Sequence, residues 1–535
     1  MDAMLPLVTF LPLIGSLVIA FLPRDSRRVI WTVAIGTAVA TWAVSLVLLL
    51  SFDPDAAGFS YRVDVPWIPF FGIDFHLGVD GLSAVLVVLT TTLTWISLLA
   101  SIGPIQNRVK EFVIAFLVLE VGVNGVFLAL DLFLFYVFWE IVLVPMYLII
   151  GIWGGDNRLY ATIKFVLFTL VGSLLMLVAI LATAFTYQAA TGSWAGAFDY
   201  ETLRSFAAGG GFEAGFQTLA FIAFFLAFAI KVPMWPFHTW LPDAHTEAPT
   251  AGSVILAGVL LKLGGYGFIR FSIPLYPDAS VDLAPIVIGL SLVAIVYGAI
   301  VALRQTDLKR LVAYSSVSHM GFVTLGIFVS VLIPVGALGR EQGMQGAILQ
   351  MVNHGLITGA LFLLVGVIYE RTHDRAIARM GGLSAPVPVY ATVFGFFVLA
   401  SAGLPGLAGF WGEFPAILSA YNPAKILEGL IGGTDGTLWT FRTFMVIAAI
   451  GTVLAAGYLL WMFQRVFFGE LSEFLRGLGH HLTDMRPVEV VTLVPLAALV
   501  VVFGVFPGLL LDLFSVTVEE VLAAVGPAVG VAAGR

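Results

Sequence analysis

The chain has 535 residues, 60% of them hydrophobic and only 11% charged, with a mean hydropathy of +1.03 and a formal net charge of −8. An average soluble domain is about 25% charged, so lipid must solvate most of this surface, and no basic footprint for nucleic acid is present. The absence of cysteine excludes disulfides, thiolate-held iron–sulfur clusters and thiol catalysis.

The expectation is an all-α polytopic membrane protein. Residues 4–22 form its first span: no basic stretch precedes them, and Arg24, Arg27 and Arg28 follow, the reverse of a cleaved leader. Further spans are predicted at 29–52, 77–101, 111–130, 132–151, 160–187, 218–241, 250–271, 284–303, 308–330, 344–369, 389–420, 440–466 and 489–514. At roughly 20 apolar residues per crossing, that makes about fourteen helices. No intervening stretch is long enough for a soluble domain, and the tail from Asp512 to Arg535 is expected to be at most a short surface helix.

Basic residues test this layout, because basic loops stay in the cytoplasm. Loops on one side hold fifteen of the 25. The other side holds seven, namely Arg62, Arg204, Arg270, Arg340, Lys425, Arg442 and Arg535, and Lys164, Lys231 and Lys262 fall inside spans. The alternation requires an even number of spans and places both termini outside the cytoplasm.

Charges inside the spans are the informative departure. Lys231 and Lys262 lie well inside, Lys164 near one end, and no arginine falls as far in. Arginine cannot release its proton in a protein, whereas a buried lysine can. Glu120, Glu140 and Glu413 are similarly surrounded by apolar sequence, and His319 and His354 fall mid-span. Each Lys or acid at a helix centre costs roughly 3 kcal/mol, so five cost on the order of 15. Snorkelling or structural pairing accounts readily for Lys164, but Glu140, Lys231 and Lys262 are read as too deep to reach either surface. Polar neighbours accompany several of these groups: Ser315, Ser316 and Ser318 precede His319, Gln350 lies one turn before His354, and Asn124 shares a face with Glu120.

Two spans are interrupted beside such groups. In Lys231-Val232-Pro233-Met234-Trp235-Pro236 two prolines fall within one turn, so the carbonyls of Ala229 and Val232 are expected to lose their helical partners. Gly403-Leu404-Pro405-Gly406 breaks the twelfth span just before Glu413. Paired breaks of this kind mark ion sites between internal repeats. Glu140 and Lys231 are 91 residues apart, and His319 and Glu413 are 94 apart. Five spans separate the breaks, an odd number, so the predicted repeats are inverted: helices 4–8 (residues 110–273) and helices 9–13 (residues 280–470). Helices 1–3 (residues 1–109) precede them, and helix 14 with the tail (residues 485–535) completes a single membrane domain.

The stretch KVPMWPFHTWLPDAHTEAPTAGSVILAGVLLKLGGYG, Lys231 to Gly267, resembles the signature of the antiporter-like membrane subunits of respiratory complex I, relatives of Mrp-type cation/proton antiporter subunits. LVAYSSVSHMGF (Leu311 to Phe322) and LPGLAGFWGEF (Leu404 to Phe414) resemble two further family blocks, and the likeness covers nearly the whole chain. Most members carry Lys on the broken twelfth helix. One branch carries Glu, as here at Glu413, which favours that branch over the L and N subunits or a Mrp subunit.

The resemblance implies proton-transfer roles for Glu140 and Lys231 as the helix-five and helix-seven pair, for Lys262, His319 and His354, for Glu413 as the terminal acid, and for Glu120 as a fourth-helix acid. It implies that quinone reduction elsewhere in the complex drives protons through this chain: separating Glu140 from Lys231 sends a proton to Lys262, His319 and Glu413. It further implies a bacterial inner membrane, complex I membrane partners including neighbouring subunits L and N, and no cofactor in this chain, with NADH, FMN, iron–sulfur clusters and quinone in partner subunits. The competing readings are a subunit of a Mrp-type sodium/proton antiporter and a purely structural membrane subunit.

Overall fold

The computed structural model describes residues 3–336, 339–421 and 434–534. Lys425 and Arg535, two of the seven basic residues assigned to one side, lie outside them.

In chain order the helices are α1 (Met4–Phe21), α2 (Arg27–Ser51), α3 (Gly81–Ser101), α4 (Val109–Leu128), α5 (Leu132–Trp153) and α6 (Arg158–Thr191). Next come α7 (Ala214–Lys231, resuming as Trp240–Glu247), α8 (Thr250–Leu275), α9 (Pro277–Leu303), α10 (Leu308–Leu332) and α11 (Arg340–Thr372). The last are α12 (Pro388–Ser401, resuming as Ala408–Ser419), α13 (Thr434–Phe467), α14 (Pro487–Val505) and α15 (Gly508–Gly534). Among the described residues thirteen helices are long and apolar enough to cross a membrane: all of these except the split α12 and α15.

Local chemistry sets several boundaries. Asp80, Asp131 and Asp307 accept from first-turn amides of α3, α5 and α10, satisfying donors that a helix start leaves bare. Pro277, Pro388 and Pro487 open α9, α12 and α14, where a missing N–H costs nothing. Burial then sorts the helices into a centre and a rim. The spanning portions of α8, α10 and α11 are wholly buried, whereas α1, α2, α13 and α14 are mostly exposed. On α6 the exposed side chains Leu159, Ile163, Leu167, Val171, Leu174 and Val178 recur every three or four residues. An apolar stripe of that length belongs against lipid.

Three expectations need correction. Residues 77–79, assigned to the third span, belong instead to a hairpin of strands β1 (Ser60–Ile68) and β2 (Ile73–Val79). Its sequence alternates, with Val63 and Val65 separated by Asp64 and followed by Phe75, Leu77 and Val79, a period-two signal hidden beside a long apolar run. The tail is not a short surface helix, because α15 runs for 27 residues. Leu510, Phe514, Val518, Val521, Val525 and Val529 are buried along one stripe of it. Glu520 on α15 accepts from the Gly58 amide at 2.7 Å and pairs with Arg204, while Arg340 donates to the Leu522 carbonyl at 2.7 Å, so the helix lies across the face that carries the hairpin. Finally, Arg270 and Arg340 are not loop residues but buried ones. Arg270 is ion-paired to Asp80 and enclosed by Phe59, Tyr200 and Tyr266, which explains how an arginine sits inside α8.

Candidate functional site

The central helix α8 departs from α geometry twice, in π turns at Leu256–Leu260 and Phe268–Ser272. Such turns offset backbone carbonyls from their usual partners and gather at functional sites. Lys262 lies between them, fully buried, and its Nζ donates to the Ala257 carbonyl within the first π turn. The same ammonium meets His354 Nδ1 on α11 at 2.7 Å.

From His354 the series continues to His319 by ring contact rather than by a hydrogen bond. The His354 ring lies 5.9 Å, centroid to centroid, from that of His319 on α10. His319 Nδ1 is 2.6 Å from Glu413 Oε1, and its Nε2 is 3.3 Å from the Tyr458 hydroxyl and 3.4 Å from Ser401 Oγ. Glu413 also accepts from Gln350 at 3.3 Å and from Thr452 at 3.1 Å. His319, Gln350, His354, Ser401 and Glu413 line a cavity of about 10 Å³, the space of a single water. All four ionisable groups are at most 3% exposed, which excludes bulk solvent as their partner.

The breaks place the two ends of this series. Lys231 closes the first part of α7 and is 2% exposed. The expectation that Ala229 loses its carbonyl partner is not met: the Met234 amide reaches it at 2.7 Å, and the Trp240 indole takes the Ile230 carbonyl at 2.9 Å. Both repairs come from beyond Pro233, so the break is held by protein rather than left open. In α12 the chain turns through Gly403 and Gly406, with φ of +77° and +91°, and restarts so that Glu413 faces His319.

The remaining expected residues are placed differently. Lys231 has no direct carboxylate partner among the described residues; its ammonium lies 5.1 Å from the Trp139 ring centroid, within the field of Glu140. Glu140 itself is partly exposed on the flank of α5, with its Oε1 buried and without a hydrogen-bond partner among the described residues. That flank position cannot be read from an unbroken apolar helix, because every face of such a helix looks alike. Glu120 is buried with neither oxygen hydrogen-bonded, and Asn124 one turn on donates to the Val8 carbonyl at 3.1 Å. Among the described residues no hydrogen bond or ion pair links Glu120 to the Lys262–Glu413 series. Lys164 pairs with Asp243 at 2.7 Å, tying α6 to the second part of α7.

Sequence reading missed His245 and Lys309. His245 is fully buried, with both ring nitrogens bare, and Lys309 is buried with its ammonium on the Ala248 carbonyl. Lys309 stands two residues after Asp307, which caps α10, at a helix start where basic residues ordinarily face the cytoplasm.

The family model described as NADH:quinone oxidoreductase/Mrp antiporter, TM matches residues 129–438. NADH-quinone oxidoreductase subunit M of Rhodobacter capsulatus is 46% identical over 98% of this chain and 97% of its own length. Among solved structures, a chain of respiratory complex I from Thermus thermophilus with bound NADH is similar at a TM-score of 0.82 and 31% identity, covering 98% of this chain and 100% of that one. A chain of the Mrp complex from Dietzia sp. DQ12-45-1b shares the fold at a TM-score of 0.76 and 22% identity, covering 98% of this chain and 52% of its own. The branch read from Glu413 is thus that of subunit M, and the chain belongs to the NADH:quinone oxidoreductase/Mrp antiporter family of multi-pass membrane subunits.

Proposed function

We propose that this chain is a proton-translocating membrane subunit of a NADH–quinone oxidoreductase, with no redox site of its own. The observation that carries the reading is the buried series Lys262–His354–His319–Glu413, in which each ionisable group lies against the next. Lys231 and Glu140 form its input pair. A proton on Lys231 is held by the field of Glu140, and weakening that field releases it toward Lys262. His354 and His319 pass it on, through a water in the small cavity, to Glu413. Moving one proton against about 180 mV takes roughly 4 kcal/mol. Two unit charges about 4 Å apart interact by about 4 kcal/mol at an effective dielectric constant of about 20, so the approach or withdrawal of one charge per proton is sufficient.

The two breaks support an organisation in inverted repeats, residues 110–273 and 280–470, the first supplying Lys262 and the second His319, His354 and Glu413. The proposed location is a bacterial inner membrane, and the alternation of basic loops supports both termini lying outside the cytoplasm. Antiporter-like subunits L and N are the proposed neighbours, and NADH, FMN, iron–sulfur clusters and quinone are assigned to partner subunits.

The decisive experiment uses the assembled oxidoreductase in proteoliposomes. Lys231→Ala and Glu413→Ala are each expected to abolish NADH-driven proton uptake while the complex still assembles. Wild-type proton-to-electron ratios in both variants would leave only a structural role, and a sodium flux independent of NADH would favour the antiporter reading.

A further inference from the structure

Two cavities of about 310 and 220 Å³ adjoin on the face that carries the basic loops. Pro104, Thr250, Gly366 and Glu370 line both, so one vestibule runs past the start of α8 and the end of α11. The smaller chamber is polar, with Glu247, Lys309 and Arg375 in its wall.

His245, on the second part of α7, stands two residues before Glu247 of that wall. The ring is fully buried and stacks flat on Phe362, with centroids 4.6 Å apart and planes at 9°. Neither Nδ1 nor Nε2 has a hydrogen-bond partner among the described residues. Two lysines lie within reach of this ring: Lys309, which lines the vestibule, and Lys262, which begins the buried series. His354, whose Nε2 is also bare, lies within its field. Buried polar atoms without partners are rare because each is costly, and a phenylalanine would fill a flat stacking position without that cost. Retaining two bare nitrogens between a vestibule and a buried lysine is explained if the ring exchanges protons there.

We propose that His245 is the relay that carries protons from this vestibule to the Lys262–His354 pair, with Glu370 collecting them at the junction of the two chambers. The inference rests on the proton-pumping reading above. In each passage one ring nitrogen accepts a proton from vestibule water, and the other gives up its own toward Lys262 in its unprotonated form. The ring stays neutral overall and changes tautomer, and no other reactant is consumed. Lys309, anchored to the Ala248 carbonyl, lines the vestibule wall beside this route.

The test again uses the whole complex in proteoliposomes. His245→Phe keeps the stack on Phe362 and removes both nitrogens. It is expected to lower NADH-driven proton uptake at least tenfold, as is Lys262→Ala. Wild-type uptake in His245→Phe with uptake lost in Lys262→Ala overturns the relay and leaves the pump reading intact; wild-type uptake in both overturns the pump reading itself. A second measurement does not depend on His245→Phe assembling. The chain has no cysteine, so Thr250→Cys gives it a single thiol in the vestibule wall. A membrane-impermeant cationic thiol reagent is expected to label it from the cytoplasmic face, with proton uptake falling as labelling proceeds. Absence of labelling from that face overturns the vestibule, and wild-type uptake in Glu370→Gln removes Glu370 from the route.

Discussion

The two interrupted helices solve the same problem in opposite ways. At the first, the prolines take away backbone donors, the lost bonds are remade by Met234 and Trp240, and Lys231 is left against an aromatic wall with no ion partner in direct contact among the described residues. At the second, glycines turn the chain, and Glu413 arrives inside a cage of His319, Gln350 and Thr452. A buried charge without a partner responds strongly to any charge that approaches, because little inside screens it. A buried charge held by three side chains is anchored. On the proposed reading the Lys231 end is therefore where an outside event is felt, and the half-buried Glu140 on the α5 flank is placed to transmit it. The Glu413 end is where the proton is stored.

The sharpest way to break this contrast is Lys231→Arg. The substitution keeps the positive charge and cannot release a proton, so it is expected to abolish NADH-driven uptake as fully as Lys231→Ala. Substantial pumping by the arginine variant would show that charge alone suffices. Next in size is Glu413→Gln, which preserves hydrogen bonding to Gln350 and Thr452 but gives up the titrating carboxyl. Uptake should fall at least tenfold with assembly unchanged, whereas Glu413→Ala also orphans buried partners, a loss of about 1–3 kcal/mol each. Equal uptake by Glu413→Gln and wild type would make the cage a structural device.

A smaller effect tests the second turn itself. A Cβ on Gly409 would sit 2.0 Å from the Ala400 carbonyl oxygen, so the two parts of α12 meet there only because glycine has none. Gly409→Ala is expected to cost about 1–3 kcal/mol by overpacking, read as a lower unfolding temperature of the complex and a displaced Glu413. At Gly406 nothing lies within 4 Å of a built Cβ, and only its φ of +91° resists a side chain. Gly406→Ala should be the milder variant, and the reverse order would mean that packing is not what fixes the second break.

How much of this was legible in the sequence depends on whether the signal was local. The spans were readable because about 20 apolar residues are needed for each crossing, and the breaks because proline and glycine act on their own backbone. Lys262, His319, His354 and Glu413 stood out as charges or rings that lipid would reject. Their pairing did not, since Lys262 meets a residue 92 positions away and His319 one 94 positions away. The half-exposure of Glu140 depends on which side of α5 the other helices cover. His245 was passed over because it follows Asp243 and precedes Glu247, a polar run that reads as a loop. The hairpin and α15 were missed for a related reason: a single long apolar segment outweighs an adjacent alternation of period two or an amphipathic stripe.

The smallest expected effect concerns the hairpin face, where ion pairs meet water and the contrast with the buried series is greatest. His76 Nδ1 on β2 lies 2.9 Å from Asp199, the residue that caps the short helix Tyr200–Ala208. Burial alone would lower the His76 pKa, but its hydrogen bond and charge interaction with Asp199 outweigh that and raise it above 6.5. Burial likewise opposes ionisation of Asp199, but the hydrogen bonds from His76 and Thr202 prevail and lower its pKa below 3.8. The sign follows for each group. The raised histidine contributes its full stability below about pH 6.5 and loses it as pH climbs through the higher folded value, while the lowered aspartate contributes above about pH 4 and fails only in stronger acid. The latch should therefore be tightest between about pH 4 and 6.5, with roughly 1 kcal/mol lost on the alkaline side. Amide hydrogen exchange at Phe75 and Leu77, corrected for the intrinsic pH dependence, measures it. Protection that falls between pH 6.5 and 8.5 in the native chain and stays level in His76→Gln is the expected result; the same slope in both would mean that this pair does not hold the hairpin down.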